Sequence, residues 1–403
     1  MTSRTPRRRT LSRGRELVAI PGPSVIPDRV LGAMHRAMPN IYEGELLETS
    51  LSLFADLPAI ARTAGEVFIA VSNGHGAWDM ALTNTLSRGD KVLVLESGVF
   101  AVGWAQMGKT GGLEFETLHA KPCCAVDPDG VEQRLRADHD HAIKAILVVH
   151  VDTANSVRND IAAIRKAIDA AGHPALFMVD CIASLACDPF EMDAWGVDIT
   201  VAGSQKGLMV PPGLGFVWAN EKALAAYDEA NLKAGYWDWG PRRGRGPHYL
   251  KYCGTPPVQF VFALREALDM LADEGLDNTW WRHRVLADAV RAAVDAWGQS
   301  CGLKLAIEAP TSRSNAVTTV LTDGLDPARL RSLAEHQAGL VLGVPLHGFE
   351  GRAFRIGPMG HLNPTRVLGT LGSIEAVLQG MGVQITQSGV AAAAAVIAPH
   401  LLQ

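Results

Sequence analysis

From Leu17 onward, short apolar runs alternate with stretches of helical period. Runs over 66–72 (EVFIAVS), 91–96 (KVLVLE), 145–151 (AILVVHV), 175–180 (ALFMVD) and 198–202 (DITVA) predict strands. Several are continuously apolar, the pattern of parallel strands covered on both faces. Between them, 77–86, 127–135 and 158–171 predict helices. Strand and helix alternating at this spacing predict an α/β fold with a mainly parallel sheet. A further strand over 215–219 (GFVWA) follows the Pro211-Pro212-Gly213 turn and reads as antiparallel.

The pattern changes near residue 258. Long amphipathic helices are predicted over 260–274 and 279–297. They are followed by strands over 303–308, 316–321, 340–343 and 354–356, with helices over 327–337 and 365–379. That is a small α+β unit. The expected organisation is a basic tail over 1–16, a large unit over 17–280 and a small unit over 281–403, the boundary falling beside Trp280. The Ala-rich tail after Gly382 reads as a last helix or a frayed end.

Composition narrows the class. With 48% hydrophobic and 20% charged residues, 403 residues suffice for a sizeable core. A net charge of −5 provides no global field for nucleic acid, so no such partner is expected. No run approaches the roughly 18–20 apolar residues of a membrane span, so no membrane partner is expected either. Six scattered Cys without a C-x-x-C read as reduced thiols, and the expected location is the cytoplasm. The first fifteen residues hold six Arg and lack the apolar core of a secretory signal. The Asp138–His141 run (DHDH) reads as a solvated turn, and no metal is expected.

Three features carry chemistry. Ser72-Asn73-Gly74-His75-Gly76 stands where a strand ends and a helix begins, a turn whose N–H groups suit a phosphate. Asp180 closes the run ALFMVD, so its carboxylate falls at the carboxyl end of a strand, where open α/β sheets bind ligands. Lys206 follows the strand over 198–202 within Ser204-Gln205-Lys206-Gly207, and a lysine so near a buried strand suits a Schiff-base amine. A phosphate turn, an acid and a lysine in that order are what pyridoxal 5′-phosphate requires.

The chain here resembles the class V aminotransferases, of the fold type I pyridoxal-phosphate enzymes. It is most similar to the branch of alanine–glyoxylate, serine–glyoxylate and pyridoxamine–pyruvate aminotransferases. The matching stretches are PGPSVIP at 21–27, SNGH at 72–75, DTANS at 152–156, MVDCIAS at 178–184, GSQKG at 203–207, PPG at 211–213, YCGTPP at 252–257 and RIGPMGHLN at 355–363. The resemblance implies a large domain with a seven-stranded-type sheet flanked by helices and a small carboxyl-terminal domain. It implies that Lys206 forms the Schiff base and moves the proton, and that Asp180 pairs with the pyridine nitrogen. Asn73, Gly74, His75 and Gln205 would hold the phosphate or line the ring. Phe100 would stack on the ring, with Trp104 an outside candidate, and Thr153 would meet its hydroxyl side. Tyr252 and Thr255 would reach the phosphate of a second subunit, so a homodimer sharing its active sites is implied. Arg355 would clamp the substrate carboxylate, beside Pro23 and Tyr42.

The implied reaction is ping-pong transfer of an amino group from a small amino acid (alanine, serine or aspartate type) to a small 2-oxo acid such as glyoxylate or pyruvate. The alternatives are a pyridoxamine–pyruvate aminotransferase and a lyase or desulfurase of the same superfamily. Where many relatives carry a His-Arg pair, this chain reads Ile41-Tyr42-Glu43-Gly44, which leaves the amino donor open. The stretch 311–360 has no Cys, which disfavours a desulfurase. Arg242, Arg243 and Arg245 read as a loop at a dimer interface.

Overall fold

A computed structural model describes residues 10–402. Residues 1–9 of the expected basic tail lie outside that range. The strands in chain order are β1 (Leu17–Ala19), β2 (Glu66–Ser72), β3 (Lys91–Glu96), β4 (Glu114–His119), β5 (Ile143–Val149), β6 (Leu176–Asp180), β7 (Ile199–Gly203), β8 (Gly213–Ala219), β9 (Leu303–Leu305), β10 (Thr318–Thr322), β11 (Leu340–Leu342) and β12 (Ala353–Ile356). Seven of them form one sheet in the order β2-β8-β7-β6-β5-β3-β4. Only β8 runs antiparallel to its neighbours in that sheet.

The sheet is buried on both faces because its side chains alternate between two cores. In β5, Ile146 and Val148 face one core while Ala145, Leu147 and Val149 face the other. Helices Glu45–Ile60, Ile161–Ala171 and Val258–Glu274 cover the first face. Helices Gly74–Thr85 and Val99–Thr110 cover the second. The helix starts obey local chemistry: the side chains of Asn73, Asp127, Asp160, Asp326 and Asn363 each accept a first-turn N–H.

The sequence pattern did not predict β4 or the helices Glu45–Ile60 and Val99–Thr110. β4 is an edge strand whose side chains are partly or wholly exposed (EFETLH), so it lacks a continuous apolar run.

A second core lies around the 26-residue helix Leu276–Cys301, the antiparallel sheet β12-β10-β9 and the helix Pro364–Gly380. The apolar clusters part close to the start of that long helix: Leu276 packs with the first core and Val285 belongs to this one. One segment departs from the expected division. β1 pairs in parallel with β11, and Ala19 sits in the second core, so the start of 17–280 is built into the carboxyl-terminal unit. Upstream of it, the Thr10 hydroxyl donates to the His336 carbonyl (2.7 Å). The Ala-rich tail forms the helix Gly389–Ile397, capped by Ser388.

Candidate active site

The carboxyl ends of β2, β3, β5, β6 and β7 share one edge of the sheet, because β2 and β7 both oppose β8 and β3, β5, β6 and β7 are mutually parallel. The chain leaves β3 for the edge strand β4 but continues from β5 toward β7, so the order reverses between β3 and β5. Open α/β sheets place ligands at that crevice. A cavity of about 130 Å³ lies there, lined among others by Gly74, His75, Phe100, Thr153, Asp180, Gln205 and Lys206. A larger cleft of about 560 Å³ opens between Arg29, Asp273, Arg282 and Arg366. It touches neither Lys206 nor Asp180, so the smaller cavity is the candidate site.

Asp180 is the last residue of β6 and is 3% exposed. Its side chain has the parity of Leu176 and Met178, so it faces the core that contains Trp78. Oδ2 accepts from Trp78 Nε1 (2.9 Å) and Oδ1 from the Ile182 N–H (2.6 Å). Burial pushes the carboxyl up to about 7 against these two bonds, and Asp152 adds to the rise while Lys206 opposes it. No cation lies within 4 Å of it among the described residues.

Lys206 is held from behind by the Pro21-Gly22-Pro23 turn. Its Nζ donates to the Pro21 carbonyl, and the Ser24 hydroxyl donates to the Lys206 carbonyl (2.7 Å). Gly22 has φ +94°, and any Cβ there would overlap the Lys206 side chain. Burial, then Arg355, brings the ammonium down to about 8.

Arg355 lies in β12 of the small unit and reaches across to the large one. Nη1 donates to the Thr153 carbonyl and Nε to the Val344 carbonyl, both at 2.6 Å. Among the described residues it forms no ion pair. Burial lowers it to about 10, with Asp152 opposing. Asp152, unassigned by the sequence, organises the turn between them. Its carboxylate accepts from the Phe100 N–H (3.0 Å) and the Ala154 N–H (2.8 Å). Backbone comes so close that a Cβ on Gly98 would overlap that carboxylate.

The other expected residues divide. Gly74, His75, Phe100, Thr153 and Gln205 meet in the cavity. Asn73 is exposed and uses its Oδ1 on the His75 N–H (3.0 Å), so it shapes the turn rather than lining the cavity. Tyr252 is buried in its own chain with its hydroxyl on Ser50, which also bonds His248 (2.7 Å). Within the single chain, the phenol of Tyr252 is therefore bonded inside its own core. Thr255 is exposed, Pro23 is exposed beside the cis Gly22-Pro23 bond, and Tyr42 is 70% exposed; none lines the cavity. Trp104 is fully buried behind Trp78, stacked at 6.0 Å, and cannot reach a ligand. Arg242 is buried and its guanidinium ties the Ile69, Lys251 and Tyr236 carbonyls together, so it is structural. In the DHDH run, Asp138 accepts from or pairs with His173 (3.0 Å).

A doubly wound sheet with a buried acid and a half-buried lysine converging at its switch point, and a guanidinium supplied by a second unit, is the build of an α/β enzyme that handles amino and carboxylate groups. Residues 53–344 match the family described as aminotransferase class-V, and the chain belongs to that family: it is an aminotransferase. It is 41% identical to the serine–glyoxylate aminotransferase of Methylorubrum extorquens over 94% of this chain and 95% of that one. It is 38% identical to the L-aspartate–glyoxylate aminotransferase of Paracoccus denitrificans, over 93% and 94%. The solved pyridoxamine–pyruvate aminotransferase of Mesorhizobium loti superposes with a TM-score of 0.86 at 27% identity, covering 96% of this chain and 98% of that one. Among the described residues, no helix is long and apolar enough to cross a membrane.

Proposed function

We propose that this chain holds pyridoxal 5′-phosphate in the cavity between Phe100, Asp180 and Lys206 and transfers an amino group from a small amino acid of the alanine, serine or aspartate type to glyoxylate or pyruvate. The observation that carries this is the convergence of Lys206 and Asp180, from different strands, in one cavity next to a guanidinium without an acid. The residues present suit the cofactor. Gln205 Oε1 is buried at the cavity without a partner, and the Asp180 carboxylate is buried with only two N–H donors. The helix Gly74–Thr85 points its amino end at the same place, where its dipole favours a phosphate.

Gly74, His75 and Gln205 would hold the phosphate and ring, Phe100 would cover one ring face, and Thr153 would meet the hydroxyl side. The cofactor, when bound, supplies an electron sink for charge that develops at the substrate Cα. Asp180, ionised, holds the proton on the pyridine nitrogen, as an adjacent carboxylate favours the cationic form. Lys206, lowered toward 8, has an accessible neutral amine near neutral pH. It serves first as nucleophile and then as the base that carries the Cα proton. Arg355 binds the substrate carboxylate through the donors its two carbonyl partners leave free. The same groups serve both halves of a ping-pong exchange.

Glyoxylate as acceptor is supported by the names of the relatives, and the donor by their serine and aspartate activities. The reading extends to a cytoplasmic homodimer in which Thr255 approaches the second subunit's phosphate. Borohydride reduction of the cofactor-loaded protein followed by peptide mass analysis tests the site: the label is expected on the peptide carrying Lys206, and its appearance elsewhere overturns the assignment. Single half-turnovers with serine, alanine and aspartate then rank donors, with glyoxylate and pyruvate as acceptors. Light scattering is expected to give about 86 kDa, twice the 43.0 kDa chain.

A further inference from the structure

Trp78 has a polar atom where packing alone would need none. It opens the second turn of the helix Gly74–Thr85 and is 1% exposed. Its indole is wedged between neighbours: Trp104 stacks on it at 6.0 Å, His75 lies at 4.5 Å and the Phe100 edge at 6.5 Å. Trp104 in turn donates to the Trp78 carbonyl (3.4 Å). The ring therefore has one orientation, and in it Nε1 points at Asp180 Oδ2. With the Ile182 N–H on Oδ1, each carboxylate oxygen has one donor and the carboxylate plane is set.

We propose that Trp78 is a positioning residue for Asp180: its indole N–H fixes the orientation of the carboxylate and favours the ionised form that the cofactor's pyridine nitrogen meets. This rests on the reading of Asp180 given above. The charged groups facing Asp180 are Asp152, which disfavours its ionisation, and Lys206, which favours it; His75 lies against the indole itself. A hydrogen bond to the ionised form stabilises that form, so removing the indole N–H raises the carboxyl further. At neutral pH more of Asp180 is then protonated and unable to form the ion pair.

Trp78→Phe keeps an aromatic ring against Trp104 and deletes the donor. The affinity of the apo-protein for pyridoxal 5′-phosphate is measured from pH 6 to pH 9 for both proteins. At pH 7 the variant is expected to bind about tenfold more weakly, the low end for a hydrogen bond to an ionised group. The gap is expected to narrow toward pH 9, where Asp180 is ionised in both. Lys206 titrates in both proteins and cancels in the difference. An equal loss at every pH, or no loss, overturns the proposal. In an Asp180→Asn background, Trp78→Phe is expected to add no pH-dependent loss; a persisting one shows that Trp78 acts through another group and also overturns it. If Trp78→Phe does not fold, Trp78→His, which retains a ring N–H, is compared in its place and is expected to lose less affinity than Asp180→Asn; an equal loss overturns the proposal. Failure of the wild-type protein itself to bind the cofactor refutes the cofactor reading instead.

Discussion

Arg355 and Lys206 divide the work of the proposed site by their chemistry. The planar fork of Arg355 has donors on two sides, and carbonyls rather than acids take Nη1 and Nε. In the proposed role, an incoming carboxylate meets a desolvated cation that no acid pairs directly, where a charge-assisted bidentate pair is strongest. Lysine offers a point charge of shorter reach and no fork. Arg355→Lys is expected to raise the KM for amino acid and oxo acid on the order of tenfold or more, from a charged hydrogen-bond loss of about 1.5–3 kcal/mol. Cofactor affinity should hold; steady-state kinetics beside a cofactor titration checks both. Asp152 has a different task. It joins the Phe100 turn to the Thr153 turn from a fully buried position, so Asp152→Asn, isosteric but unable to accept on both sides, is expected to disturb both walls of the cavity at once. Its signature is weakened cofactor and substrate binding together, unlike Arg355→Lys.

At the scale of elements, two short segments hold the small unit. β1 supplies a strand edge to β11, far from it in the chain. The Ala-rich helix Gly389–Ile397 has high intrinsic helix propensity but at nine residues is too short to stand alone. Glu375 fastens it. Its Oε2 accepts from Trp297 Nε1 (2.8 Å) and the Gly389 N–H (2.7 Å), and its Oε1 from the Ser388 hydroxyl (2.8 Å). Burial raises this carboxyl, but the bonds from Trp297, Ser388 and the Val390 and Gly389 N–H groups together leave it lowered. Glu375→Ala is expected to cost about 2 kcal/mol, in line with lost hydrogen bonds to an ionised group. Limited proteolysis should then cut near 382–388; an uncut tail and an unchanged Tm contradict the fastening.

The whole molecule depends on how its two cores are joined. Buried Asp188, in the loop after β6, accepts from the Ser314 hydroxyl (2.9 Å) and the Asn315 N–H (3.0 Å) of the second unit. His283, on the long helix, bonds the Thr279 carbonyl through Nδ1 (2.7 Å) and the Gly360 N–H through Nε2 (3.0 Å). A carbonyl only accepts and an N–H only donates, so this imidazole is neutral, with its proton on Nδ1. Burial, then Arg282, lowers it to about 4. Between the ordinary value near 6.5 and 4 the unfolded chain binds the proton and the folded one does not. The stability from His283 is thus complete above about pH 6.5 and is lost as pH falls toward 4. His283→Gln is expected to flatten the dependence of unfolding free energy on pH in that window by about 1.4 kcal/mol per unit. Denaturant melts of both proteins at several pH values measure the slope difference; identical slopes would falsify the neutral-imidazole assignment.

Much of this protein follows from local rules. Strand positions such as Glu66–Ser72 and Lys91–Glu96 follow from apolar runs, and helix starts at Asn73, Asp160 and Asp326 from capping chemistry, because period and caps act within a few residues. Lys206 and Asp180 were legible for the same reason: each closes or follows a strand whose end is marked. Contacts between distant segments were not legible. Trp78 reaches Asp180 across 102 residues, and Arg355 reaches Thr153 across 202. No local pattern tells a core tryptophan from one that also donates to an acid. Nor could the chain alone show that Tyr252 spends its hydroxyl on Ser50, or that β1 crosses to the second unit. The sequence by itself determined most strands of the large sheet and the places of Lys206 and Asp180 after and at strand ends. The tertiary structure decided which groups share one desolvated space, because burial and pairing are properties of segments brought together by the sheet and not of any one of them.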